Sequence, residues 1–255
     1  MLLAVDIGNT NIIYGVFQGD ELRGTWRVAT DVGRMPDEYA ATLLNLLRHQ
    51  GLETTDIKEV ALCCVTPPLL AIFEELLEQY FHVSPLVVGP GVKTGVHIRM
   101  DNPREVGTDR IVNAAAAHHL YSGAVIIVDM GTATTFDTVS KEGDYLGGAI
   151  APGIATAAEA LFIKASALPR VELTRPEHAI GTNTITAMKS GIIFGYVGLV
   201  EGIVNRIQRE LGEKATIVAT GGYARLIARE TPIIDKVNSD LTLVGLRLIY
   251  LMNQA

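Results

Sequence analysis

A short pattern occurs twice in this chain of 255 residues. Near the start stand Val5, Asp6, Ile7, Gly8, Asn9, Thr10 and Asn11; in the middle stand Val128, Asp129, Met130, Gly131, Thr132, Ala133, Thr134 and Thr135. Each copy is an apolar run that ends in Asp, then Gly, then a small hydroxyl residue. An apolar, β-prone run closed by glycine reads as a strand entering a tight turn. With no Cβ in the way, the amides of such a turn can face a phosphate. One copy alone reads equally well as a capped turn. Two copies, each heading one half of the chain, predict a duplicated nucleotide-handling fold with ATP gripped between the halves.

The halves implied by the repeat are residues 1–110 and 111–255. At 48% hydrophobic and 19% charged residues, the chain can bury an ample core and is not disordered. A formal charge of −7 argues against nucleic acid or an anionic membrane as the main partner. It leaves ATP open, because phosphate sites are local and rest on backbone amides and metal ions. The first apolar run is short, lacks a basic leader and leads straight into Asp6, so no targeting segment is expected. No uninterrupted apolar stretch of about 20 residues is present, so no bilayer span is expected. Cys63 and Cys64 are neighbours within the run Val60–Val65. Adjacent strand residues point to opposite faces, so a disulfide between them would be strained. Buried structural thiols and a cytoplasmic location are the expectation.

Three short runs, Leu2–Asp6, Ile12–Gln18 and Leu22–Ala29, predict a meander of strands. Pro36–Gly51 carries Tyr39, Leu43, Leu44, Leu46 and Leu47 at helical spacing. A strand at Val60–Val65, a helix at Pro67–Tyr80 and a strand at Leu86–Val88 complete a βββαβαβ half. Val92–Gly107 reads as the crossing between halves. In the second half, helix Arg110–Leu120 precedes strands Ala124–Asp129, Thr134–Ser140 and Tyr145–Ile150. Helices follow at Gly153–Leu161, Thr184–Leu211 and Ala224–Arg229, with a strand at Thr216–Ala219 and a last helix at Leu241–Asn253.

A carboxylate at a strand end beside a glycine turn suits a hydrated Mg²⁺, which keeps most of its waters and takes one or two protein carboxylates. Thr10 and Thr132 can donate to phosphate oxygens. The G-x-x-x-x-G-K-[ST] signature is absent, and so is G-x-G-x-x-G after the first strand, which disfavours P-loop and dinucleotide-binding enzymes. Thr220, Gly221, Gly222 and Tyr223 follow an apolar strand, and the paired glycines leave a flat surface for a planar base. Gly107, Thr108, Asp109 and Arg110 head the alanine-rich helix. They read either as a cap with a surface charge, or as a carboxylate placed to accept the proton of an attacking hydroxyl beside an arginine for an anionic group. The six histidines show no metal-binding spacing, and no G-x-S-x-G elbow occurs.

Together these motifs resemble the acetate and sugar kinase, Hsp70 and actin superfamily. Within it the chain is similar to the type III pantothenate kinases through Asp6–Asn11, Gly107–Arg110, Asp129–Thr135, Gly147–Gly153 and Gly181–Thr184. The resemblance spans nearly the whole chain. It implies an α/β fold: a duplicated actin-like (ribonuclease H-like) architecture of two mixed-sheet halves flanked by helices, with a nucleotide cleft between them. It implies phosphorylation of pantothenate by ATP, the first step toward coenzyme A. Residues Asp6, Ile7, Gly8, Asn9, Thr10, Asn11, Ile12 and Ile13 would form the first ATP loop, with Asp6 positioning Mg²⁺ through water. Thr132 would bind phosphate, and Gly221 and Gly222 the adenosine. Asp109 would be the catalytic proton acceptor, with Gly107, Thr108, Asp109 and Arg110 contacting pantothenate. Thr184 would reach the substrate across a dimer interface, and Asp129 would help hold a monovalent cation, K⁺ or NH₄⁺. The family leads one to expect an aromatic residue just upstream of Gly107–Arg110; this chain has Met100 there.

Two rivals share the phosphate loops. One is a kinase of another small hydroxyl or acid substrate; the other is a non-catalytic actin-like ATP-binding regulator. Gly191, Gly195, Gly198 and Gly202 stripe the long helix with Ile192, Ile193, Phe194, Val197 and Leu199 between them. Small residues let helices approach closely, so this helix is expected either at a homodimer interface or in the core.

Overall fold

The computed structural model describes residues 1–254. Its elements run β1 (Leu2–Ile7), β2 (Asn11–Gln18), β3 (Glu21–Ala29), α1 (Pro36–His49), β4 (Glu59–Cys64), α2 (Pro67–Phe81), β5 (Leu86–Val87), β6 (His97–Ile98) and α3 (Thr108–Leu120). There follow β7 (Val125–Met130), β8 (Ala133–Val139), β9 (Asp144–Pro152), α4 (Ile154–Lys164), α5 (Thr184–Leu211), β10 (Thr216–Thr220), α6 (Ala224–Ala228), β11 (Lys236–Val237) and α7 (Leu241–Met252). The chain divides into two units. The first holds residues 1–95, 102–116 and 242–255; the second holds 96–101 and 117–241.

The first unit is built on a sheet of order β3-β2-β1-β4-β5. β1 and β2 form an antiparallel hairpin, while β1 and β4 are parallel. Alternation sends Leu3, Val5, Ile7, Ile12, Tyr14 and Val16 into one core with α1 and α2. There Phe73 lies against Tyr14 and Tyr39, with ring centroids 6.3 and 5.1 Å apart. α1 begins on Pro36, carries Asp37 and Glu38 in its first turn and ends on Arg48 and His49, a charge order that suits the helix dipole. The opposite sheet face takes α3 and α7. Thr108 bonds to β4, and the Leu243 side chain fills the space left by Gly15. These contacts place α3 through residue 116, together with α7, in the first unit, where the sequence predicted a single break after 110.

The second unit repeats the plan. Its sheet runs β11-β10-β7-β8-β9-β6, so β9-β8-β7-β10-β11 reproduces β3-β2-β1-β4-β5 strand for strand. The hairpin is again antiparallel, and the β7–β10 and β10–β11 pairs are again parallel. Ile126, Val128, Met130, Phe136, Ile217 and Ala219 form a core with α4, α5 and α6. β6 arises from the stretch expected to be a crossing and adds to the β9 edge through the pairs His97–Asp144 and Ile98–Tyr145.

α5 opens on Asn183, whose side chain accepts from Thr186 N at 3.0 Å, and stops at Gly212 in the left-handed region with φ of 69°. It is the one helix among the described residues long and apolar enough to cross a bilayer. Its Ile193, Val200 and Val204 are fully buried in the core of the second unit. The mixed α/β architecture with a repeated unit is the fold class that the motif echo predicted.

Candidate active site

In the first unit the site grows from the end of β1. Val5 and Ile7 face the α1–α2 core, so Asp6 between them faces the other side of the sheet, half-buried. The turn that follows is closed by Gly8 N donating to Asn11 O at 3.0 Å. Thr30 braces it, its hydroxyl donating to the Gly8 carbonyl at 2.7 Å and its amide to Thr10 O at 3.0 Å. Asn9, Thr10 and Asn11 are exposed at the tip, while Ile12 is buried and Ile13 half-buried in β2. Thr66, the residue before α2, donates its hydroxyl to Asn9 Oδ1 at 3.4 Å.

Across the sheet, Asp6 pairs in register with Cys63 of β4. The Cys63 thiol is fully buried and donates to Thr108 Oγ1 at 3.3 Å. The Thr108 hydroxyl donates onward to the Cys64 carbonyl at 3.3 Å. Burial, then the charge of Asp6, push the Cys63 thiol well up; the Thr108 hydrogen bond partly offsets this, and Asp109 adds to it. Register with Asp6 and the bond to Thr108, the residue before Asp109, thus bring the start of α3 onto the strand beside Asp6. Asp109 is half-buried at the start of α3, its Oδ1 accepting from Arg110 N at 2.9 Å. A Cβ on Gly107 would stand 2.5 Å from that same oxygen, so glycine leaves room for the carboxyl to fold over the helix end. Of the Gly107–Arg110 run, the Thr108 side chain is turned onto the sheet.

The second unit builds a matching corner. Asp129 is the penultimate residue of β7, flanked by the core residues Val128 and Met130, and pairs in register with Thr135 and Thr220. The turn is closed by Gly131 N donating to Ala133 O at 3.0 Å. Its Thr132 carbonyl accepts from the Thr156 hydroxyl at 2.8 Å and from Gly153 N at 3.1 Å. Each loop is thus held by a threonine hydroxyl from another element, Thr30 in one and Thr156 in the other. Gly221 follows β10 with φ of 89°, and a Cβ there would stand 2.6 Å from Asp129 Oδ1. Gly222 beside it is exposed.

Thr184 is exposed at the first turn of α5 and lines an apolar groove of about 930 Å³ with Leu161, Gly191, Gly195 and Leu199. Met100 lies on the second unit, its sulfur 2.8 Å from where a Cβ of Gly147 would stand. The structure thus gathers Asp6, the 8–11 turn and 107–110 in the first unit. It gathers Asp129, Thr132 and Gly221 in the second. Sequence reading missed Thr30, Cys63 in its polar role, Thr66 and Thr156. Each acts through a hydroxyl or thiol on a distant main-chain or side-chain group, which no local pattern signals.

A repeated mixed-sheet unit, each copy ending a central strand in Asp and a glycine turn, defines an α/β protein of the actin-like fold class. An inorganic polyphosphate/ATP-glucomannokinase from Arthrobacter sp. strain KM shares the fold, with a TM-score of 0.52 at 12% identity over 99% of this chain and 98% of that one. The sequence model of the type III pantothenate kinase family matches residues 2–206. A type III pantothenate kinase of Dehalococcoides mccartyi (strain ATCC BAA-2100) is 60% identical over 99% of this chain and 96% of its own length. One from Moorella thermoacetica is 54% identical over 99% of this chain and all of its own. The chain belongs to the type III pantothenate kinase family.

Proposed function

We propose that this chain transfers the γ-phosphoryl group of ATP to the primary hydroxyl of pantothenate, giving 4'-phosphopantothenate for coenzyme A synthesis. The observation that carries the reading is the docking of the start of α3, which bears Asp109, on the strand beside Asp6, with Cys63 in register with Asp6 and bonded to Thr108, in a chain 60% identical to a type III pantothenate kinase over 99% of its length. A loose phosphoryl-transfer transition state leaves most of the catalysis to positioning and charge neutralisation.

Asp109 orients the acceptor hydroxyl and takes its proton. The N-terminus of α3 suits the negative charge that a base requires. Arg110 pairs with the pantothenate carboxylate, while Gly107 and Thr108 contribute backbone. Asp6–Ile13 and Thr132 serve the phosphates, and Gly221 with Gly222 the adenosine. The amides of the two turns are held in place before reaction by Thr30 and Thr156, so they stabilise developing charge without reorganising.

Asp6 fits Mg²⁺: one half-buried carboxylate beside an exposed turn suits an ion that keeps most of its waters. The ion would neutralise phosphate charge when bound. Asp129 is assigned to a monovalent cation, K⁺ or NH₄⁺. Its carboxylate is closely approached by the Gly221 backbone.

A homodimer completes the reading. Gly191, Gly195 and Gly198 have nothing within 4 Å of an added Cβ, so their face of α5 is open. Ile163 and Ile180, close in sequence to the groove residues Leu161 and Gly181, are 64% and 83% exposed, and exposed apolar surface of this kind marks an interaction site. Thr184, at its edge, would then serve the partner's substrate. The enzyme would work in the cytoplasm, where ATP is at hand.

The deciding assay is ADP release with pantothenate, glucose, glycerol and acetate, each with and without K⁺. Turnover is expected with pantothenate alone and only with K⁺. Turnover with acetate and none with pantothenate would sink the reading.

A further inference from the structure

The first turn of α3 is fastened to the sheet by a relay of two hydrogen bonds. The Cys63 thiol donates to Thr108 Oγ1, and the Thr108 hydroxyl donates to the Cys64 carbonyl, each at 3.3 Å. Cys63 is 0% exposed and follows the apolar residues Val60, Ala61 and Leu62 of β4. Packing there could be met by Ala or Val; only a thiol or hydroxyl can also direct a hydrogen to Thr108. Thr108 is one residue from Asp109, so a tilt of this turn moves the Asp109 carboxyl directly.

We propose that Cys63 is a positioning residue: through Thr108 it fixes the first turn of α3 and thereby the placement of Asp109 relative to Asp6. The proposal rests on the assignment of Asp109 as proton acceptor. Small displacements of a reacting group are costly, about 10²-fold for 1 Å. A single weak thiol bond corresponds to a smaller effect, about 3- to 10-fold in kcat.

The test measures kcat, both KM values and the thermal midpoint for Cys63→Ala, Cys63→Val, Cys63→Ser, Thr108→Val, Cys63→Ala/Thr108→Val and Asp109→Asn. Cys63→Ala and Cys63→Val are expected to lower kcat by about 3- to 10-fold with the KM for ATP within about two-fold. Cys63→Ser should recover most of the loss, because it keeps a donor. The double variant should be no slower than Thr108→Val alone, since both changes break one relay.

Wild-type kcat in Cys63→Ala and Cys63→Val, alongside an inactive Asp109→Asn, would overturn the relay and leave the Asp109 assignment standing. Losses in all three Cys63 variants that track the thermal midpoint and add to Thr108→Val would also overturn it, by showing packing alone. Wild-type turnover in Asp109→Asn would remove the Asp109 assignment itself, and the relay's purpose with it.

Discussion

The main chain at Gly221 stands so close to Asp129 that a single added carbon would lie 2.6 Å from the carboxylate oxygen. The turn after β10 and the end of β7 are therefore one corner, not two motifs. Gly221 also sits at φ of 89°, where an L side chain is strained.

Gly221→Ala should lose both stability and nucleotide binding. The backbone penalty alone is about 1–2 kcal/mol, and the displaced Asp129 adds to it. A thermal melt with titration of ATP by calorimetry would measure both; an unchanged midpoint and affinity would contradict the corner.

Asp109→Asn keeps the size and the helix-end hydrogen bond to Arg110 N but cannot take a proton. It should fold, bind ATP as the wild type does and lose about 10²–10⁴-fold in kcat. Steady-state ADP release on the purified variant checks this, with circular dichroism to confirm the fold.

Asp129→Asn removes the charge assigned to the monovalent cation. Wild-type activity should rise with K⁺ at fixed ionic strength, and the variant should be slow and indifferent to K⁺. A variant with the same K⁺ response would place the cation elsewhere.

Gly195→Arg should be tolerated by the isolated chain, because nothing lies within 4 Å of an added Cβ. It should be fatal to a helix-to-helix contact on that face. Size-exclusion chromatography with light scattering is expected to give a dimer for the wild type and a folded monomer for the variant. A dimeric variant would move the interface away from the glycine stripe.

Alkali should destabilise the fold. Burial raises the Cys63 thiol above its ordinary 9.0 and the Tyr14 phenol above its ordinary 10.0. The unfolded chain thus gives up these protons first as pH rises. Their contribution is intact below about pH 9 and is lost as pH climbs toward the folded-state values. Urea midpoints at pH 7.5 and 10.5 should fall accordingly, less so in a Tyr14→Phe variant.

Much of this was legible in the chain because the signals are local. α5 spans the residues its periodicity predicts, since Asn183 and Gly212 mark its ends within one turn. The two Asp–Gly corners were legible because each is a strand end and a turn in sequence. β6 was not: two residues become a strand only by meeting Asp144 and Tyr145. Nor was the allocation of α7 to the first unit, which rests on Leu243 beside Gly15 and on Thr242 bonding Asn113. Thr30 and Thr156 escaped for the same reason, because their roles exist only once distant carbonyls arrive.

The strand order that the two sheets share, β6 aside, gives the strands around Asp6 counterparts around Asp129. By register, Cys63 answers to Thr220: each is the residue beside the key carboxylate on the next parallel strand. Past that point the copies part company, one continuing into prolines and a helix, the other into a pair of glycines. The molecule therefore holds its own comparison experiment. Exchanging the short segments after β4 and β10 would ask how much of the proposed division between acceptor and adenosine is written in those few residues, and how much in the shared frame beneath them.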